Sequence, residues 1–314
     1  MARNILSDVP KNVEVYKQNL DDFYRFMYDR HAIYVRRHLQ KLSPPWTNNP
    51  ILRDYKFTNV YRELDRGTIW YKDHIVPKTR SLKELIWMTV AYRLVNRVET
   101  FEVCGIPQLK YWPRSRSIFR HSLKMLHRKS IVFTNAHLTL PTKYGKSKID
   151  TYISSLDKLY KDIDDLSNSI AVEKNPVSVF DILHTIPGVG DFIAYEVWCD
   201  LVLTRHIQFT ENDFVNPGPG CRLGIKLIFP ATNSTEDFKR RIGQLQAEQK
   251  QHFARLNLKF PYLYRNKPLT LRSIEHSLCE FSKYRKMTTG IGKQRMHFRP
   301  RDADGRQMIF RFPR

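Results

Sequence analysis

A glycine turn between two apolar segments constrains the fold of this chain more than any other sequence feature. Residues 183–201 read LHTIPGVGDFIAYEVWCDL, and the PGVG turn separates two helices that apolar spacing predicts over 179–185 and 191–203. Glycines permit positive φ and leave backbone N–H groups uncovered at the start of the second helix, where the helix dipole favours an anion. The turn therefore predicts a phosphate clamp made of Pro187, Gly188, Val189 and Gly190.

The charge of the chain indicates a polyanionic partner. Its 314 residues carry 53 Lys and Arg against 31 Asp and Glu, a formal net charge of +22. Residues 104–149 hold ten Lys or Arg and no acidic residue, and residues 283–314 hold ten against Asp302 and Asp304. We expect double-stranded DNA as the partner, with Arg114, Arg116 and Arg120 on its phosphates. A basic surface that is only solvated is the alternative.

Composition and cysteine spacing exclude several other classes. An apolar content of 41% supports a folded core, and no apolar run approaches the about 20 residues that a membrane span needs. The first residues lack the apolar core of a signal peptide, so we expect a cytoplasmic protein with no membrane partner. The four cysteines are scattered without metal-binding spacing, and we expect neither a metal nor a cofactor.

Apolar periodicity predicts a mainly α-helical protein in two lobes. Helices are expected over 19–40, 58–75, 81–105, 148–174, 235–256 and 269–287, with N-caps at Thr58 and Ser81 for the second and third. The helix over 148–174 is expected to be acidic and amphipathic and to face solvent. A short strand pair is expected within 131–142, and alternation around Asp304-Gly305 predicts a terminal β-hairpin. We expect one helical domain over 1–286 and a basic tail over 287–314.

The loop after the turn carries a candidate catalytic carboxylate. The glycine turn and its helices resemble the helix–hairpin–helix of DNA glycosylases, in which a following aspartate faces a base extruded from the duplex. In FTENDFVNPGPG that position corresponds to Asp213, preceded by Asn212, which we assign to the substrate pocket. An ordinary turn role for Asp213, or a catalytic role for Glu211, is the alternative. Phe192 stands where lyase-type glycosylases have their lysine, and their iron–sulfur cysteines are missing.

A second glycine-rich turn follows at NPGPGCRLG. Gly218 and Gly220 permit a close backbone approach to a phosphate or diphosphate, with Arg222 beside them. A plain loop explains the same pattern equally well. The sequence contains no G-x-x-x-x-G-K-[ST] motif, so it offers no sign of a nucleotide kinase domain.

Four segments together resemble a known family: FTNVYRELDRGT, IPGVGDFIAYEVWCDL, NDFVNPGPGCRLGIKLIF and IEHSLCEFSKYRK. They are similar to the alpha-glutamyl/putrescinyl thymine pyrophosphorylases and to the helical module of phage 5-hydroxymethyluracil DNA kinases. The resemblance implies a glycosylase-like helical fold and a role in thymine hypermodification. If a phage encodes the protein, the expected location is the cytoplasm of the host cell. In that role a phosphorylated 5-hydroxymethyluracil exchanges its activated group for an amine or amino acid, and a DNA kinase of the same pathway is an implied partner.

Two residue groups supply candidate chemistry for this exchange. In YRELDR, the spacing of Arg62, Asp65 and Arg66 predicts one helix face that holds phosphate and carries a second carboxylate. In CEFSKYRK, Glu280, Lys283 and Tyr284 are expected to complete the pocket. A structural ion-pair cluster and ordinary helix packing are the respective alternatives.

Three functions remain open from the sequence. The favoured one is a transferase that replaces diphosphate at the 5-methylene of the extruded base, with Asp213 as general base. A monofunctional DNA glycosylase and a non-catalytic DNA-binding module serving a separate kinase are the alternatives.

Overall fold

Helices form the regular structure of the protein. The computed structural model describes residues 13–134, 140, 147–264, 267–290 and 297–298. In these ranges the helices are α1 (Val13–Tyr34), α2 (Pro50–Asp54), α3 (Arg66–His74), α4 (Leu82–Val95), α5 (Val98–Cys104), α6 (Trp112–Lys129), α7 (Lys148–Val172), α8 (Pro176–His184), α9 (Asp191–Leu203), α10 (Pro219–Ile228), α11 (Thr235–Arg255) and α12 (Leu271–Thr288). The prediction of a mainly α fold is confirmed.

The predicted β-structure does not occur in the residues that the structure describes. The described residues contain no β-sheet, and their β-pairing is limited to an isolated bridge between Tyr55 and His297. Residues 131–134 and 140 form no strand, and the rest of the predicted strand pair lies outside the described residues. The expected hairpin around Asp304-Gly305 also lies outside them.

The chain divides into two compact units. Unit 1 comprises residues 1–62 and 217–314, and unit 2 comprises residues 63–216. Each unit is built around its own set of packed helices. The predicted boundary between a helical domain and a tail at residue 286 stays a prediction.

Unit 1 is organised around the contact between α10 and α12. A Cβ at Gly220 would lie 2.4 Å from Cys279 Sγ, and one at Gly224 would lie 2.2 Å from the Leu278 carbonyl oxygen. Only glycine therefore allows the two helices to approach this closely. On α1, Phe23 packs its ring 5.4 Å from that of Phe281 and closes the core.

Unit 2 is organised around α4, whose residues 85–95 are all buried. The Ser81 side chain accepts a hydrogen bond from the Glu84 N–H, as the predicted N-cap requires. The predicted helix over 81–105 is two helices, because Asn96 adopts a left-handed conformation with φ 49°. Helix α7 was predicted to be an acidic amphipathic helix that faces solvent. Its polar side, including Lys161 and Asp162, is exposed, while its apolar side, including Leu156 and Leu159, is buried and packs against α4.

A buried ion-pair network joins α4 to α9. The Arg93 guanidinium donates two hydrogen bonds of 2.6 Å to the Asp200 carboxylate and lies 3.0 Å from Glu196 Oε2. All three side chains are 3% exposed. Burial lowers the pKa of Arg93, but the two carboxylates outweigh it and raise the pKa above its usual range. Arg93 therefore stays charged and fixes the second helix of the glycine turn.

None of the helices that the structure describes combines the length and apolar content that crossing a bilayer requires.

Candidate functional site

The glycine turn lies between α8 and α9, as the sequence predicts. Gly188 has φ 85°, and a Cβ there would lie 2.7 Å from Ser155 Oγ and 2.9 Å from Leu140 Cδ2. Glycine is therefore required at this position by both conformation and packing. Glycine at 190 permits positive φ but does not adopt it: Gly190 is the extended N-cap of α9, with φ −93°. A Cβ at Gly190 would meet nothing within 4 Å, so its surroundings are open.

The start of α9 also carries an acidic side chain. Asp191 is exposed in the first turn, where its charge stabilises the helix but disfavours a second anion. His184 Nε2 lies 3.1 Å from Asp191 Oδ1 across the turn. The Asp191 carboxylate is therefore paired with the His184 imidazole, and a phosphate at the turn would have this pair beside it.

The basic residues of α6 fall into two groups. Arg116 donates to both oxygens of Asp157 at 2.5–2.8 Å, and Arg120 donates to Asp150. The acids that residues 104–149 lack in sequence are thus supplied by α7. Arg116 and Arg120 were predicted to contact DNA phosphates. Both instead form ion pairs with carboxylates of α7, within unit 2.

The opposite side of α6 is exposed. Its residues recur at intervals of three and four, so they lie in one row along the helix. Ile118 is 70% exposed, and the neighbouring side chains of the row are also exposed. We call this row the α6 outer face; it consists of Arg114, Ile118, His121, Met125 and Arg128. Neither of its arginines has a carboxylate within 4 Å among the described residues.

Asp213 lies in a tight turn on the surface of unit 2. Its Oδ2 accepts a hydrogen bond of 2.7 Å from the Thr210 N–H, and its own N–H donates to the Thr210 carbonyl. Asn212 is exposed beside it. The next residue, Phe214, is buried against Trp198 and so anchors the turn. Asp213 therefore has the turn role that the sequence analysis considered as an alternative. Its side chain is also exposed. The catalytic role of Asp213 stays a prediction.

The predicted cluster of Arg62, Asp65 and Arg66 does not share a helix face. Arg62 lies in a short 3-10 turn, Asp65 is the N-cap of α3, and Arg66 begins that helix. Helical spacing does not apply across this junction, which explains the error. Arg66 Nη1 lies 2.7 Å from Glu99 Oε1 in unit 2, whereas Arg62 belongs to unit 1.

The second glycine turn is explained largely by helix packing. Gly220, with Gly224, allows α10 to approach α12, and the Gly218 N–H donates to Glu275 Oε1 at 3.3 Å. Arg222 donates to the Pro217 carbonyl oxygen, and its guanidinium lies 5.2 Å from the centre of the Phe238 ring. The close approach observed here is between two helices. A phosphate role for Gly218, Gly220 and Arg222 stays a prediction.

One side of α12 gathers buried ionisable residues. Arg272, Glu275, His276 and Glu280 are each at most 9% exposed, and the partly exposed Lys283 continues their row. We call these five residues, together with Thr58, the α12 polar cluster. The sequence analysis named Glu280 and Lys283 but missed the others. For Arg272, Glu275 and His276, the available signal was their recurrence with Glu280 and Lys283 on one side of α12.

A chain of hydrogen bonds runs through this cluster. His276 Nε2 lies 2.5 Å from Thr58 Oγ1, so Thr58 is a partner of the cluster rather than the predicted N-cap. The Thr58 N–H donates to Glu280 Oε2 at 3.1 Å, and Glu280 Oε1 accepts from Lys283 Nζ at 2.5 Å. Burial lowers the pKa of Lys283, but Glu280 outweighs it and raises that pKa. The ammonium is therefore held in place and charged.

Tyr284 has a structural environment. Its hydroxyl accepts a hydrogen bond of 2.8 Å from Asn49 Nδ2, and its ring lies 5.1 Å from that of Phe26. These contacts account for its position without a ligand, and its predicted pocket role stays a prediction. Within the described parts of the chain, no three His, Cys, Asp or Glu side chains gather as a metal site requires.

The fold and these sites define an α-helical protein with an exposed basic face and a buried polar cluster. Residues 17–293 match the family described as 5-hmdU DNA kinase, helical domain. The chain therefore belongs to this family, and the resemblance to the helical module of 5-hydroxymethyluracil DNA kinases is confirmed.

A curated relative shows the extent of the match. The chain is 31% identical over 292 residues to a 5-hmdU DNA kinase of Bacillus phage SP10. The aligned region covers 85% of this chain and 45% of the phage protein, so this chain spans less than half the length of that relative. No solved structure matches the chain.

Proposed function

We propose that this protein is a DNA base-modifying transferase. Its substrate is a phosphorylated 5-hydroxymethyluracil extruded from duplex DNA, and an amine or amino acid replaces diphosphate at the 5-methylene carbon. Membership of a family named for 5-hmdU DNA kinases supports the modified base as substrate. The observation that carries a catalytic role is the α12 polar cluster, because buried charged groups are costly to fold and concentrate at functional sites.

The reaction requires two kinds of group. The bond between the methylene carbon and the bridging oxygen breaks, and its electron pair leaves with the diphosphate, whose charge cations must stabilise. The amine nitrogen forms the new bond to carbon and loses a proton to a general base. We assign the base role to Asp213, whose carboxylate is exposed and held by the Thr210–Asp213 turn. Asp65 is the next candidate.

DNA binding is assigned to two surfaces of unit 2. The glycine turn presents backbone N–H groups without side-chain cover at Gly190, which suits a contact to phosphate that is independent of sequence. The α6 outer face adds arginines that are not engaged by the acids of α7. We therefore keep the predicted phosphate contact at Arg114 and replace those at Arg116 and Arg120 with one at Arg128.

Removing the arginine charges from one side of α6 at a time tests this assignment. The double variant Arg114→Gln/Arg128→Gln is expected to reduce the slope of log affinity against log salt by about 1.8, because each phosphate contact contributes about 0.9. The matched control Arg116→Gln/Arg120→Gln removes two internal ion pairs and is expected to leave the slope unchanged. Fluorescence anisotropy with a duplex at several salt concentrations measures both. Equal slopes for all three proteins would contradict the assignment.

A charge introduced at Gly190 tests the glycine turn. Asp and Asn are both favourable N-cap residues, and position 190 has room for a side chain. The variants Gly190→Asp and Gly190→Asn are therefore both expected to fold. A carboxylate near a bound phosphate costs between about 1 and 4 kcal/mol, so Gly190→Asp is expected to weaken DNA binding at least fivefold more than Gly190→Asn. The same anisotropy titration measures the difference, which should shrink in high salt. Identical affinities of the two variants would exclude phosphate from the turn.

A second candidate function is an accessory DNA-binding module. The chain spans less than half of a relative that is named a kinase, and its own sequence contains no P-loop motif. On this view the protein presents modified DNA to a kinase and performs no chemistry.

One assay separates these functions. Duplex DNA containing 5-hydroxymethyluracil diphosphate is incubated with the protein and a panel of amines and amino acids. A transferase releases diphosphate and yields a heavier thymidine derivative, detected by mass spectrometry of the nucleosides. Abasic sites would instead identify a glycosylase. DNA binding without any product across the panel would identify the accessory module.

A further inference from the structure

A cavity in unit 1 lies next to the C-terminal end of α2. It has a volume of about 230 Å³, and its lining comes from positions 33–54 together with His297 and Phe298. Every lining residue belongs to unit 1. Pockets for drug-sized ligands measure about 300–1,000 Å³, so this cavity suits a ligand the size of a single substituted ring. We call it the α2 cavity.

The walls of the α2 cavity are apolar and aromatic. Ile33 and Leu52 are buried, and Trp46 and Phe298 add two rings. The centres of these two rings lie 6.3 Å apart, and their planes are inclined at 73°. A planar ligand that stacks on one ring therefore meets the other ring with its edge. Both arrangements are favourable between aromatic groups.

The aromatic walls are held in place by contacts outside the cavity. The Trp46 Nε1–H donates to the Leu42 carbonyl oxygen at 2.7 Å, and the Trp46 carbonyl oxygen accepts from Arg36 Nη1 at 2.7 Å. The Arg37 guanidinium lies 5.0 Å from the centre of the Trp46 ring and 5.6 Å from that of Phe298. Walls that are fixed in this way lose little conformational entropy when a ligand binds.

The charges of the lining are balanced. Arg53 Nε donates to Asp54 Oδ1 at 2.8 Å, and Arg53 Nη2 donates to Asp54 Oδ2 at 3.3 Å. The third ionisable side chain, His297, stacks its ring 4.8 Å from that of Tyr55. Apolar walls with paired charges favour an uncharged group, because burying an uncompensated charge is costly. A neutral ring therefore suits the α2 cavity better than a diphosphate or an ammonium does.

Two polar groups of the lining match the edge of a uracil ring. Thr47 Oγ1 accepts a hydrogen bond of 3.1 Å from the Asn49 N–H, so its own O–H can donate to a ring carbonyl oxygen. A carboxylate has about four acceptor sites, so that of Asp54 can accept from a ring N–H while it pairs with Arg53. Uracil and thymine present a ring N–H between two carbonyl oxygens, whereas cytosine has an unprotonated ring nitrogen at that position. The lining thus favours a uracil-type base.

We propose that the α2 cavity binds the extruded pyrimidine of a 5-hydroxymethyluracil substrate. The ring stacks on the aromatic wall of Trp46 and Phe298, and Thr47 and Asp54 meet its polar edge. The choice of a base as ligand rests on the proposed function, in which a base leaves the duplex. The charged group on the 5-methylene stays outside the apolar part of the cavity.

The nucleoside 5-hydroxymethyldeoxyuridine is the probe for this site, and isothermal titration of the full chain measures its binding. Leu52 lines the cavity, so Leu52→Phe places a larger side chain in the void and is expected to raise the dissociation constant at least about tenfold. Filling a void removes no packing, so the melting temperature is expected to stay at or above that of the unchanged protein. Normal binding by folded Leu52→Phe would overturn the site, as would an unchanged protein that does not bind the nucleoside.

Thr47 offers a test that adds no volume to the core. Thr47→Val keeps the shape and removes the hydroxyl, so the dissociation constant is expected to rise about 3- to 10-fold. Thr47→Ser keeps the hydroxyl and is expected to bind within a fewfold of the unchanged protein. Thr289→Val is the matched control, because Thr289 is exposed in unit 1 and does not line the cavity. Equal affinities of Thr47→Val and Thr47→Ser would overturn the contact to the hydroxyl.

The choice between bases tests the polar edge. The unchanged protein is expected to bind 5-hydroxymethyldeoxyuridine at least about tenfold more tightly than 5-hydroxymethyldeoxycytidine, because the Asp54 carboxylate repels the unprotonated ring nitrogen of cytosine. Asp54→Asn has both a donor and an acceptor and is expected to reduce this preference. The Arg53 and Asp54 side chains are 34% and 43% exposed, so loss of their pair should leave the fold intact. Equal binding of both nucleosides by the unchanged protein would overturn the assignment to a uracil-type base.

The apolar part of the amine co-substrate is the other candidate occupant, and butylamine is its probe. Butylamine is expected not to compete with the nucleoside, because Arg53 already neutralises the carboxylate of the lining. Competition that Leu52→Phe abolishes would overturn the assignment to the base. Failure of the cavity is distinguishable from failure of the proposed function. Amine transfer by Leu52→Phe at the unchanged rate rejects the cavity alone. Nucleoside binding that Leu52→Phe abolishes, without amine transfer by the unchanged protein, rejects the function alone.

Discussion

Replacing Asp213 by Asn is expected to slow amine transfer by about 10²- to 10⁴-fold, the usual effect of losing a general base. Asn keeps the shape of the side chain, and its Oδ1 can still accept the hydrogen bond from the Thr210 N–H that forms the turn. The fold and DNA affinity should therefore be unchanged. The measurement is the single-turnover rate on phosphorylated 5-hydroxymethyluracil DNA with saturating amine.

Glu211→Gln is the matched control for Asp213. It removes a carboxylate from the same turn and is expected to leave the rate within a fewfold of the unchanged protein. Full activity in Asp213→Asn would leave the reaction class intact but reject Asp213 as the base, and Asp65→Asn would then be the next variant. A loss of DNA affinity equal to the loss of rate would show that Asp213 acts in binding.

Replacing Arg93 by Met is expected to lower the free energy of unfolding by about 3–5 kcal/mol. The substitution keeps an apolar stem but leaves the Asp200 and Glu196 carboxylates buried without their cation, and breaking one side of a buried ion pair has a cost of this size. Urea denaturation followed by circular dichroism measures the change. Arg97→Met is the control, because Arg97 is 29% exposed and lies 3.6 Å from Glu99 in a more solvated pair, where about 1 kcal/mol or less is expected.

The defect in Arg93→Met should depend on pH with a definite sign. Without the guanidinium, burial raises the pKa of the two carboxylates in the folded state above the unfolded value. Such groups destabilise the fold above their unfolded pKa and cease to do so once both states are protonated. The stability difference from the unchanged protein is therefore expected to be largest near neutral pH and to shrink as the pH falls toward 4. A difference that is constant over this range would show that lost packing, not charge, causes the defect.

Most of the helices, and several of their ends, could be predicted from the sequence. The turn between α8 and α9, the extents of α11 and α12, and the Ser81 N-cap follow from apolar spacing and capping residues, which act within a few positions along the chain. The requirement for glycine at 188 was also predicted. The prediction failed at two boundaries between helices. Asn96 divides one predicted helix into two, and α3 begins at Arg66 rather than directly after Thr58.

The partners of charged residues were decided by the tertiary structure. Residues 104–149 contain Lys and Arg but no acidic residue. In the structure, Asp150 and Asp157 of α7 form ion pairs with Arg120 and Arg116. Thr58 and His276 are 218 positions apart and form a hydrogen bond. Local pattern determines which segments become helices and which side of each is apolar. Long-range packing, which no local pattern specifies, decides which charged residues become buried. It also decides whether a glycine lies against a ligand or against a neighbouring helix, as Gly220 does.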